Sequence, residues 1–166
     1  MNLVKNCEKK KCKKNIDNDF IIDIMIRVII TGHGNFATGI QSSLHLIAGK
    51  QEEIRAVDFT AGMGHEEIKN KLKEAVEGAQ EVLILCDLLG GTPFKVSSEL
   101  IAEMPEVKMN VVSGLNLCML MEAAFTRLSQ SLDELVKTLK VSGQNGIIDT
   151  LSLMEDDVSE EVESGF

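Results

Sequence analysis

The sequence predicts an α/β fold, a doubly wound and mostly parallel sheet with helices on both faces. Two observations predict it. From Arg27 onward, short runs rich in Val, Ile and Leu alternate with segments whose apolar residues recur every three or four positions. Those short runs are apolar at consecutive positions rather than at every second one. Strands buried on both faces read that way, and they belong to parallel sheets whose connections are helices.

The elements follow in order. Val28-Ile29-Ile30 is a β-branched first strand ended by Gly32. Phe36, Ile40, Leu44 and Ile47 recur at helical spacing and stop at Gly49, a residue suited to the position after a helix end. Ile54 to Val57 forms a second strand closed by Asp58. Ile68, Leu72, Ala75, Val76 and Ala79 line a second helix that opens near Glu66 and Glu67. Val82 to Cys86 is a fully apolar third strand. A third helix carries Phe94, Ser97, Leu100, Ile101 and Met104, and Pro105 stops it. Met109 to Val112 is a fourth strand and Asn116 to Leu128 a fourth helix. Ser131-Leu132-Asp133-Glu134 is a capping box that opens a fifth helix bearing Leu132, Leu135, Val136 and Leu139. Gly146 to Leu151 is expected as a C-terminal edge strand, so that four parallel strands are joined by one more.

The chain of 166 residues is long enough for one domain with a core of its own. Its organisation is expected as a basic, loosely attached leader over residues 1–24 (an upstream start or an added extension), a domain over 25–152 and an acidic tail over 153–166. The leader holds six Lys against four acids, and the segment after Met154 holds six acids and no base. The net charge of −9 argues against a nucleic-acid binder, whose affinity rests on clustered Lys and Arg. With Phe as the sole aromatic type, base-stacking platforms are not expected either. No uninterrupted apolar stretch suggests a secretory signal or a membrane span. Cys7, Cys12, Cys86 and Cys118 lack metal or redox spacing, so a reducing cytoplasm is the expected compartment. Cys86 and Cys118 sit in apolar runs and are expected as small core hydrophobes. No cofactor and no metal are expected.

In a doubly wound sheet the strand-to-helix loops share one edge, where ligands bind. The first loop, Thr31-Gly32-His33-Gly34-Asn35-Phe36-Ala37, sets a histidine between two glycines directly after a strand. Such a His is suited to nucleophilic or acid–base work. His45 and His65 read as surface and helix-start residues. The third loop runs Asp87-Leu88-Leu89-Gly90-Gly91-Thr92-Pro93-Phe94. Asp87 would emerge at the same edge as His33 and orient its ring. Gly90 and Gly91 would turn amides inward to hold an anion, and Thr92 would cap the next helix with Pro93 at its first position. A phosphoryl group carried on His33 would then rest on Gly90, Gly91 and Thr92. A rival lies in the same residues. Gly32-x-Gly34-x-x-Ala37 matches the dinucleotide fingerprint, with Asp58 placed as a ribose-binding acid. A flavodoxin-like regulatory domain without catalysis is a third possibility.

Val28-Ile29-Ile30-Thr31-Gly32-His33-Gly34 together with Asp87-Leu88-Leu89-Gly90-Gly91-Thr92-Pro93-Phe94 resembles the IIA component of the mannose family of the bacterial sugar phosphotransferase system. The resemblance runs from about Met25 to Leu151 and takes in Val57-Asp58-Phe59 and Ser113-Gly114-Leu115-Asn116. It implies that His33 is phosphorylated by the histidine-containing phosphocarrier protein and passes the group to the IIB component. Sugar uptake through the membrane IIC and IID components follows. It implies that Asp87 orients His33 and that Thr92 contacts the phosphoryl group. It also implies a homodimer that exchanges its last strand, for which Gly143-Gln144-Asn145-Gly146 would be the hinge. Leu89 stands near a position where members commonly carry Trp.

Overall fold

The computed structural model describes residues 25–153. Four strands, β1 (Arg27–His33), β2 (Ile54–Phe59), β3 (Glu81–Cys86) and β4 (Lys108–Ser113), form one sheet in the order β2-β1-β3-β4. All three pairings are parallel, with Thr31 opposite both Val57 and Cys86. The helices are α1 (Phe36–Ala48), α2 (His65–Val76), α3 (Thr92–Glu103), α4 (Leu117–Thr126) and α5 (Leu132–Asn145). Val28, Ile29 and Ile30 of β1 and Val82 to Cys86 of β3 are fully buried, whereas the edge strands β2 and β4 are mostly half-buried.

The pleat sends alternate residues to opposite faces. Val28, Ile30, Leu83 and Leu85 pack with α1, α4 and α5 on one side. Ile29, Val82, Ile84 and Cys86 pack with α2 and α3 on the other. Local signals fix the helix ends. Gly49 follows α1 at φ +72°, a conformation that costs glycine little. Asn116 caps α4 by accepting from the Met119 amide, and the Ser131–Glu134 capping box opens α5 in both directions. Arg27 is buried at the start of β1. Its guanidinium donates to the carbonyls of Ala75, Val76 and Glu77 at the end of α2 and pairs with Glu53.

Three expectations are corrected here. The C-terminal edge strand at 146–151 does not form within the chain: residues 147–149 are irregular, 150–153 are helical, and Asp149 caps that turn by accepting from Leu151 and Ser152. Nothing in a single chain pairs these residues to the open edge of β4, and an Asp before Ser and Leu favours a local cap. Cys118 is exposed rather than in the core, because α4 turns Met119, Leu120 and Ala123 inward. Ile47, the last apolar residue of the first helical stripe, lies on the surface too. The leader at 1–24 and the acidic residues after Leu153 lie outside the described residues.

Candidate functional site

The strand order reverses between β1 and β3, since the chain proceeds from β1 outward to β2 and then returns past β1 to β3. The carboxyl ends of those two strands therefore frame a crevice. His33 is the last residue of β1 and Asp87 stands one residue beyond β3, so the fold sets them on the two lips of that crevice.

Asp87 Oδ2 accepts from the His33 amide at 2.8 Å and from His33 Nδ1 at 2.9 Å, while Oδ1 accepts from the Leu88 amide at 2.7 Å. Burial pushes the Asp87 carboxyl up. The His33 amide and ring and the Leu88 amide together outweigh that and hold it below its ordinary value. A carboxylate is an acceptor only, so the hydrogen in this contact lies on Nδ1, and in the neutral tautomer that fits it Nε2 is the acceptor. The His33 side chain is 44% exposed against 16% for Asp87. A shielded anion thus orients an accessible base.

The surroundings fit closely. The His33 ring meets Phe59, its neighbour across the β1–β2 ladder, edge-on at 5.7 Å between centroids. A Cβ on Gly91 would lie 2.7 Å from His33 Cε1, and one on Gly32 would lie 2.6 Å from Phe36 and 2.9 Å from the Asp87 carboxyl carbon. Both glycines are therefore demanded by the close approach of this pair. Gly91→Ala is expected to push the ring out of line with Asp87 while the fold survives. The chemical shifts of the His33 ring nitrogens beside a circular dichroism melt would check it.

The third loop is built differently from the sequence expectation in one respect. Gly91, in extended backbone, occupies the cap position of α3, and Thr92 is the first helical residue. Its hydroxyl makes no hydrogen bond among the described residues and is available to a ligand. The physical reason is the turn ahead of it: the Gly91 amide donates to the Leu88 carbonyl and Gly90 takes φ +74°, so the chain enters the helix one residue early. His33, Asp87 and Gly91 are in contact, and Gly90 and Thr92 flank Gly91.

The dinucleotide reading finds no such support. Gly32 lies inside β1, paired with Asp58, rather than opening a loop. Both carboxylate oxygens of Asp58 are taken by Thr38, from its amide at 3.0 Å and its hydroxyl at 2.6 Å, which ties the first turn of α1 to β2. His65 belongs to a charged ladder that joins α2 to α3: it pairs with Glu66 and Glu99, Lys69 with Glu99 and Glu103, and Lys73 with Glu103. Lys73 and Lys69 hold the Glu103 carboxyl down at about 2. Hydrogen bonds to Glu99 and Glu66 raise His65, so its small contribution to stability is complete below its ordinary pKa and fades as pH rises through the raised value. Among the described residues, no group of three His, Cys, Asp or Glu is placed to hold a metal ion, and no helix is long and apolar enough to cross a membrane.

Residues 27–140 match the family model described as the fructose IIA component of the phosphotransferase system. The chain belongs to that family. It is 35% identical over 123 residues to the fructose-specific EIIA component of Bacillus subtilis (strain 168), covering 72% of this chain and 83% of that one. The sorbose-specific EIIA component of Lacticaseibacillus casei is 30% identical over 116 residues, 69% of this chain and 83% of the relative. Among solved structures, the EIIA component from Streptococcus agalactiae superposes with a TM-score of 0.75 at 47% identity, covering 77% of this chain and 99% of that chain. This IIA component is thus of the mannose, fructose and sorbose type that its two loops suggest. Sequence reasoning missed one residue of the site, Phe59, and the steric part played by Gly91, which it had placed there only as a phosphoryl-binding residue. Phe59 had a signal, since it ends the second strand just as His33 ends the first, but only the register shows that they are opposite one another. The steric demand on Gly91 had none.

Proposed function

We propose that this IIA component is a phosphohistidine carrier. His33 takes a phosphoryl group from the histidine-containing phosphocarrier protein and passes it to the IIB component, which phosphorylates the sugar that the membrane IIC and IID components bring in. The single observation that carries the reading is the orientation of His33: Nδ1 is tied to Asp87, and the bare Nε2 edge lies over Gly91 at the mouth of the third loop.

In the transfer the Nε2 lone pair attacks phosphorus. A new N–P bond forms as the bond to the donor histidine breaks, and that electron pair returns to the donor imidazole. The proton stays on Nδ1, hydrogen-bonded to the Asp87 carboxylate, whose negative charge offsets the positive charge spread over the ring. Little covalent work remains beyond positioning and charge stabilisation. The first amides of α3, which a helix start leaves without intrahelical partners, its dipole and the Thr92 hydroxyl would receive the phosphoryl oxygens. Incubation with phosphoenolpyruvate and the two general phosphotransferase proteins tests this: an acid-labile phosphoryl group is expected on Nε2 of His33. A label on any other residue, or none, would end the reading. Asp87→Ala is expected to fold and yet transfer slowly, by 10³-fold or more on the order seen when an orienting carboxylate is lost.

The carrier would act as a homodimer. The edge of β4 is unpaired among the described residues, and Ile147, Ile148, Leu151 and Leu153 are all more than half exposed just beyond α5. Ile147 already lines a cleft with Val112 and Ser113 at the end of β4. Exchange of this segment between two copies would pair the open edge and bury those side chains. A chain ending at Gly146 is expected to sediment as a monomer, and one ending at Leu153 as a dimer. Equal masses for the two would discard the exchange.

A further inference from the structure

We propose that Phe59 is a positioning residue for phosphoryl transfer: its ring, set against the His33 imidazole from β2, steadies the plane that the Asp87 hydrogen bond leaves free. The inference rests on the carrier reading of His33. Asp87 Oδ2 lies 2.9 Å from Nδ1 and fixes where that nitrogen sits. It does not fix the whole ring. The χ2 torsion of a histidine has a broad well, and a hydrogen bond keeps most of its strength when bent by up to about 30°. With 44% of the His33 side chain exposed, the second restraint has to come from a specific neighbour.

Phe59 supplies it from the strand on the other side. β1 lies between β2 and β3. Asp87 therefore reaches His33 from the β3 end, and the parallel register sets Phe59 directly opposite His33 on β2. The ring centroids are 5.7 Å apart with the planes at 79°, the edge-to-face arrangement that aromatic pairs prefer. The contact is anchored twice. The Phe59 carbonyl accepts from the Gly34 amide at 2.9 Å, which pins the backbone just after His33. The Phe59 side chain is half-buried and packs against the core that Ile29, Ile84 and Cys86 share with α2 and α3. A ring seated on that core acts as a stop for one that is not. In-line transfer needs the Nε2 lone pair directed at phosphorus, opposite the departing donor nitrogen. Each rock of the imidazole takes the lone pair off that line, so the ring of Phe59 acts on the chemical step through His33.

The experiment compares the full chain with Phe59→Leu and Phe59→Tyr. Leucine keeps an apolar side chain and the carbonyl bond to Gly34 but removes the ring; tyrosine keeps the ring. The first measurement needs no phosphoryl donor. Relaxation of the His33 Cε1–H bond in the unphosphorylated chain is expected to give a lower order parameter in Phe59→Leu and the parent's value in Phe59→Tyr. The second is single-turnover transfer from the phosphorylated histidine-containing phosphocarrier protein. The saturating rate of Phe59→Leu is expected to fall roughly 2- to 10-fold, a range set by what an edge-to-face pair contributes beyond its burial. The donor concentration at half saturation should stay unchanged, and Phe59→Tyr should transfer like the parent. An unchanged order parameter or an unchanged saturating rate in Phe59→Leu would overturn the proposal. So would an equal loss in Phe59→Tyr, or a shift in half saturation alone, which would make Phe59 a docking residue. A parent chain that takes up no phosphoryl group would instead end the carrier reading, and this role with it.

Discussion

His33→Ala is expected to abolish phosphoryl uptake altogether while leaving the fold intact. The side chain is 44% exposed and its loss opens no cavity in the core, so the stability change should stay within about 0.5 kcal/mol. The effect on chemistry is total because no other described nucleophile shares the crevice. Cys86, the nearest in sequence to Asp87, is buried and protonated, and His65 lies in the α2–α3 ladder. Asp87→Asn should fall between the extremes. A carboxamide can present its NH₂ to the ring as well as its oxygen, so Nδ1 loses the constraint that keeps its proton and Nε2 is no longer held bare. Measured with phosphoenolpyruvate and the general phosphotransferase proteins, uptake should be absent in His33→Ala and reduced on the order of 10³-fold in Asp87→Asn. Residual uptake in the alanine variant above background would mean that His33 is not the acceptor. The Asp87 carboxyl also carries a pH signature. Its pKa is lowered on folding, so its contribution to stability is complete above the ordinary carboxylate range and is lost as pH falls through the lowered value. The asparagine variant should lack that part of the acid transition.

Arg27→Ala is expected to produce the largest loss of stability of any substitution outside the core. The guanidinium is buried, donates to three carbonyls at the end of α2 and pairs with Glu53. Its removal leaves the Glu77 carbonyl without that donor and takes one partner from Ala75, Val76 and Glu53, which keep only Arg55 or the Ala79 amide. Removing one partner from such an arrangement costs about 3–5 kcal/mol. At about 4 °C per kcal/mol for a domain of this size, the melting temperature should fall by roughly 10–20 °C. Arg27→Lys would restore the charge but only part of the fan of donors, and it should recover less than half of the loss. A melt within about 2 °C of the parent for Arg27→Ala would show that α2 ends without this support.

The fold was largely legible because each element carries its own signal. Val28 to Ile30 and Val82 to Cys86 are apolar at every position, which only a strand buried on both faces tolerates, and both are central strands. Ser131 and Glu134 mark the start of α5 by chemistry that needs no tertiary partner. The segment from Gly146 to Leu151 reads as a strand from its Ile pair, but a strand requires an edge to pair with, and within one chain the Asp149 cap turns it into a helix start instead. Ile47 and Cys118 fall in apolar stretches, but α1 turns Ala37 and Leu44 inward and α4 turns Met119, Leu120 and Ala123 inward, which leaves both on the surface.

The candidate site divides along the same line. A His between glycines and an Asp before Gly-Gly-Thr-Pro, each directly after an apolar strand, placed both side chains at one edge from sequence alone, because parallel crossovers leave that edge no alternative. Tertiary structure alone decided which ring nitrogen is held, that Asp58 serves Thr38 rather than a ribose, and that Gly91 rather than Thr92 stands at the cap of α3. Those are matters of register and of contacts within 3 Å between residues 54 and 20 positions apart in the chain. Local pattern determines which residues reach the edge of a sheet; the packing of one strand against the next determines which of their atoms meet.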